Sequence, residues 1–143
     1  MFFAETQNKL LYAVTKRTSA EIITDRADAS KPNMGLTTWK GAIVRKGDVI
    51  IAKNYLNENE IDTLNRLVTI FLETAELRVK ERKDLTLDFW RKNVNSLIEF
   101  QGKPLLEGTG SVTNAESEAF ANDVYDEFHA SRKQQEALAA DEE

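Results

Sequence analysis

At Thr18–Glu21, Asn57–Glu60 and Thr113–Glu116, each ahead of an apolar helical pattern, the chain places a cap-forming residue with a glutamate three positions later. In a capping box the cap side chain and the glutamate satisfy each other's exposed amides at a helix start, so each pair commits the residues after it to an α-helix. A fourth cap is offered by Thr86, with Leu85 and Trp90 placed as a hydrophobic staple. A chain with that many helix starts in 143 residues has little length left for a sheet. The expected architecture is all-α: a single-domain bundle of about five helices, with a long ordered loop near residues 29–47.

The apolar spacing agrees. Phe3, Leu10, Leu11 and Val14 recur at helical intervals, which predicts an amphipathic helix over residues 2–15 with those side chains inward. A second helix runs from Thr18 to about Ala27. Ile61, Leu64, Val68, Phe71 and Ala75 form one stripe on a long helix that fades near residue 83 into Arg78, Lys80, Arg82 and Lys83, cations suited to the negative end of a helix dipole. Trp90, Val94, Leu97 and Ile98 give the inner face of the next helix, stopped by Gly102 and Pro104. Phe120, Val124 and Phe128 mark the last. From Gln134 the sequence turns to Ala, Gln and acid, so a helical domain over 1–133 and a frayed acidic tail over 134–143 are expected.

Between the second and third helices the pattern breaks. Pro32, Asn33, Gly35 and Gly41 demand a loop, yet Met34, Leu36 and Trp39 lie within it, so the loop must fold back on a core. Val49 to Leu56 is too short an apolar run to separate helix from strand; a short helix capped by Asp48 is favoured, since Ile51 and Tyr55 fall four apart. The net charge of −5 is uneven. Residues 31–53 carry +4, whereas residues 84–143 carry −8.

Little chemistry is on offer elsewhere. Without cysteine there are no disulfides, thiolate zinc sites or cysteine nucleophiles. The one histidine, His129, sits among Asp126, Glu127 and Arg132, where a surface role explains it better than general acid–base work. Asp123, Asp126 and Glu127 have no ligand histidines or calcium-loop spacing and read as a solvated face. Gly108 and Gly110 lack the strand and lysine of a phosphate loop and read as a turn. No metal or cofactor is expected, no membrane span is present, and a cytoplasmic setting follows. The abrupt opening, with no leader, suggests a piece of a longer protein.

The basic segment is the constellation that points to a function. Trp39, Lys40, Arg45, Lys46, Lys53 and Tyr55 would form a face that grips a phosphate or an acidic surface, the indole stacking or packing beneath an alkyl stem. The plainer alternative is that Trp39, Met34 and Leu36 anchor the loop while the cations keep it solvated.

Several blocks together resemble the C-terminal region of the RhuM family of bacterial proteins. They are Phe3 to Leu10, Thr18 to Ile23, Arg26 to Asp28, Lys31 to Gly41, Ile51 to Glu58 and Lys103 to Val112. The resemblance covers most of the chain and departs at turns, with Lys16 where relatives often have glycine and Thr109 where some have asparagine. It implies a DNA-linked protein, because relatives usually begin with a separate domain like winged or phage-type DNA-binding modules, and a setting of regulation or conflict between genomes, because members often sit near defence and mobile elements. That half has no counterpart in this sequence, and the family supplies no catalytic residues to transfer. The expected role is a non-catalytic interaction or oligomerisation module of a RhuM-like DNA-associated protein, whose partner is that other domain, another protein, or a second copy. Two alternatives stand beside it: a toxin-like or nucleotide-modifying enzyme on a helical scaffold, which the absence of a histidine-bearing Fic loop disfavours, and direct phosphate binding through residues 31–53.

Overall fold

In a computed structural model, residues 2–81, 83 and 86–142 are described, with side-chain placements for residues 5–81, 83 and 86–139. The secondary structure of the described residues is helical, in the expected order: α1 (Phe2–Thr15), α2 (Ser19–Arg26), α3 (Glu58–Lys80), α4 (Leu87–Phe100) and α5 (Asn114–Glu142), with short 3-10 turns at Pro32–Gly35 and Ala52–Tyr55. The inward Phe3 side chain, Arg82 and the Leu85 staple lie outside the described residues. Backbone contacts gather into two compact units, one built from residues 1–19 and 57–111, the other from residues 20–56 and 112–143.

The first unit packs α1, α3 and α4 on one another. Its helix ends follow from local chemistry. The Asn57 carboxamide accepts from the Glu60 amide at 2.8 Å while the Glu60 carboxylate accepts from the Asn57 amide at 2.9 Å, which completes the capping box. Thr86 Oγ1 accepts from the Phe89 amide at 3.1 Å. Helix α4 closes in a Schellman arrangement, Lys103 N–H to Ile98 O and Gly102 N–H to Glu99 O, with Gly102 at φ 68°. Leu10, Leu11, Leu64, Val94 and Ile98 are buried as their spacing predicts, and Leu67, outside the predicted stripe, joins them. Beyond Leu67 the stripe is shallower. Phe71 meets the Trp90 ring at 4.8 Å between centroids, and the Arg78 guanidinium lies 3.6 Å above the Phe89 ring. At the edge of α1, the Lys9 ammonium donates to Asn95 at 3.0 Å, and the Ser19 amide donates to Asn8 at 3.0 Å.

The second unit is α2, the 27–56 segment and α5. Ile22, Ile23, Met34, Val44, Val49 and Leu56 are all but excluded from solvent, so the long loop contributes much of this core. One sequence expectation changes here. Residues 49–56 do not form an α-helix: only a 3-10 turn covers Ala52–Tyr55, and Asp48 serves the loop before it rather than capping a helix. Helix α5 runs to Glu142.

Candidate docking loop

Residues 36–56 are stitched into one body by two polar hubs. The first is Asp48, whose side chain is buried and whose two oxygens accept from the backbone amides of Lys40 (3.1 Å) and Arg45 (2.9 Å). One carboxylate thus gathers the backbones of two cationic residues to neighbouring points. The second is Asn54: its carbonyl accepts from the Thr37 and Thr38 amides, its side-chain oxygen from Thr38 Oγ1 at 3.1 Å, and its Nδ2 donates to the Asp48 carbonyl at 3.0 Å. The Thr37 hydroxyl also donates to the Leu56 carbonyl. A loop whose amides are paired this way keeps its shape without lending its cationic side chains to the task.

That stitching leaves Lys40, Arg45, Lys46 and Lys53 exposed, and Trp39 half-buried. Lys46 makes a weak pair with Asp126 of α5, Nζ to Oδ1 at 3.5 Å, with both side chains largely solvated. Tyr55 departs from its expected role. It is buried, and its hydroxyl donates to the Val49 carbonyl at 2.7 Å, so it underpins the loop instead of facing a partner. Burial pushes its phenol well above the usual tyrosine range.

Sequence reasoning missed two contributors. Ile43, Ile50 and Ile51 are exposed among the cations, at 51%, 37% and 48% of their full surface. Ile51 and Tyr55 were expected four apart on one helix, and because the segment is not an α-helix that spacing does not place the two together. The other is Arg132 on α5, whose guanidinium donates to the Val44 carbonyl at 3.1 Å and holds the loop from the helix side. Its second terminal nitrogen lies 3.0 Å from His129 Nδ1; a guanidinium only donates, so that ring nitrogen accepts. His129 also stacks on Tyr125, with centroids 5.5 Å apart and planes 15° from parallel.

The other candidate sites are quiet. Among the described residues no group of three or more His, Asp or Glu could hold a metal ion, and no helix is long and apolar enough to cross a membrane. The Gly108–Gly110 segment forms a turn, and Gly110 lies so close to Thr18 that an added Cβ would stand 2.6 Å from its Cγ2.

No curated protein and no solved structure matches the chain significantly. Its lineage is nevertheless shown by a match to the family sequence model over residues 1–136, nearly the full length, in agreement with the resemblance carried by the Lys31–Gly41 and Ile51–Glu58 blocks. The chain belongs to the virulence protein RhuM family.

Proposed function

We propose that this RhuM-family chain is a non-catalytic interaction module that receives an acidic protein surface on its 39–53 loop. The observation that carries the reading is the Asp48 hub. It fixes the loop backbone from inside and leaves Lys40, Arg45, Lys46 and Lys53 outward with Ile43, Ile50 and Ile51 among them. A preformed loop loses little entropy on association, and a mixture of cations with exposed isoleucines suits a protein surface with carboxylates around an apolar centre better than a phosphate track.

A photo-crosslinking residue at position 43, in the cells that make the protein, tests this. The wild-type loop should give a discrete adduct, and a variant carrying Arg45→Glu and Lys46→Glu should lose it while keeping its melting temperature. An adduct of equal yield from the double variant would refute the reading. If instead the wild type binds duplex DNA, with affinity falling steeply as salt rises, the loop is a phosphate binder and the protein-docking role is wrong.

A further inference from the structure

Beyond the docking loop, the second unit contains a cleft of about 480 Å³ between the 29–33 turn and α5. Its size falls in the range of small-molecule sites. Lys31 and Pro32 line it from the turn; Phe128, Ser131, Arg132 and Gln135 line it from the helix. No aspartate or glutamate lines it, although the chain carries −5 overall and α5 is rich in acid. Two cations with hydroxyl and amide donors, and no carboxylate, make a cleft that favours an anion. The Asp28 carboxylate, outside the lining, stays ionised under hydrogen bonds from the Ser30 amide at 2.9 Å and the Ser30 hydroxyl at 2.6 Å and under the Lys31 charge, so an anion in the cleft competes with it for Lys31.

Two further observations suggest that the cleft is built. The turn holds Asn33 and Met34 in left-handed backbone, at φ 54° and 62°, a conformation side chains avoid and one that clusters at ligand clamps. It is pressed so tightly on α2 that a Cβ on Gly35 would stand 2.4 Å from the Arg26 carbonyl oxygen. On the helix side, Arg132 is anchored through Val44 and His129 and its guanidinium lies over the Phe128 ring, 5.1 Å from the ring centre, so a fixed cation covers one face of an aromatic ring. We propose that this cleft binds a small oxyanion joined to a flat ring, such as a nucleoside monophosphate or an aromatic carboxylate, the anion held by Lys31 and Arg132 and the ring lying against Phe128.

Calorimetric titration of the full chain with adenosine monophosphate, benzoate, inorganic phosphate and adenosine tests the proposal and separates the two sources. One or both of the first two should bind with a dissociation constant below about 1 mM. Phosphate alone should be about tenfold weaker, since it forgoes the stacking, and adenosine should give no signal. Arg132→Gln would also release Val44, so the informative variants are Lys31→Gln, expected to weaken binding by about fivefold or more, and Ser131→Phe, which fills the cleft and should abolish it. The variant carrying Arg45→Glu and Lys46→Glu should bind as the wild type does, so failure of the docking role leaves this site standing. Absence of binding by both ringed anions, phosphate binding as tightly as the nucleotide, adenosine binding as well as its phosphate, or binding that survives Lys31→Gln and Ser131→Phe would each overturn it.

Discussion

Asp48 shows how much one side chain can decide. Asp48→Ala would leave the part-buried Lys40 and Arg45 amides without their partner, at a cost of about 1 kcal/mol each. Urea denaturation should therefore show a loss of about 2 kcal/mol, and trypsin should cut faster at Lys40, Arg45 and Lys46 under native conditions. Lys16 works in the opposite direction. It sits just after α1 at φ 64°, where a non-glycine side chain costs about 1 kcal/mol. Lys16→Gly should raise stability by up to about 1 kcal/mol in the same assay, and Lys16→Ala, which keeps the Cβ, should not. Tyr55 makes a pH signature. Its folded pKa lies above the unfolded value, so its contribution is complete below about pH 10 and is lost as pH rises further, when the unfolded phenol ionises and the buried one resists. Tyr55→Phe should flatten that alkaline loss while removing the hydrogen bond to Val49, which a melting series from pH 8 to about 11 would reveal.

The elements separate what was readable from what was not. Helix starts were legible at Asn57 and Thr86, because a cap is a local bargain between residues three apart and needs no knowledge of the rest of the chain. At Thr113 the hydroxyl both accepts from the Glu116 amide and donates to the Glu116 carboxylate, at 3.1 Å in each case, a variant of the same local logic. Segment 49–56 was misread because its shape is set by partners outside it. The bonds from Asp48 to the Lys40 amide and from Asn54 to Thr37 and Thr38 reach back beyond any window of eight residues. Of the proposed loop cations, all four were visible as charge and reach the surface, whereas the burial of Tyr55 and the exposure of Ile43 and Ile51 depend on that same long-range stitching. Arg132 was invisible for a similar reason. Its partner, Val44, is 88 positions away.

At the scale of the whole molecule, the path of the chain ties the folding of one unit to that of the other. Neither unit is a continuous stretch: residues 20–56 leave the first unit and return to it, and residues 57–111 do the same for the second. While the first unit is folded it holds both ends of 20–56, sparing the second unit a loop-closure cost of roughly 3 kcal/mol, and the same argument applies in reverse. Each unit also carries one tryptophan, Trp90 in the first and Trp39 in the second, so a variant with Trp39→Phe reports the first alone and one with Trp90→Phe the second alone. Ile98→Ala, at a fully buried site of the first unit, should cost about 2–5 kcal/mol and lower the Trp90 transition directly. The connectivity requires more. The same substitution should lower the Trp39 transition too, because unfolding the first unit releases both ends of the 20–56 segment, and Ile22→Ala in the second unit should likewise reach Trp90. Coincident midpoints in both single-tryptophan backgrounds would show one cooperative molecule. A Trp39 transition that stays in place when Ile98 is truncated would show that the second unit closes its own ends and owes nothing to the first.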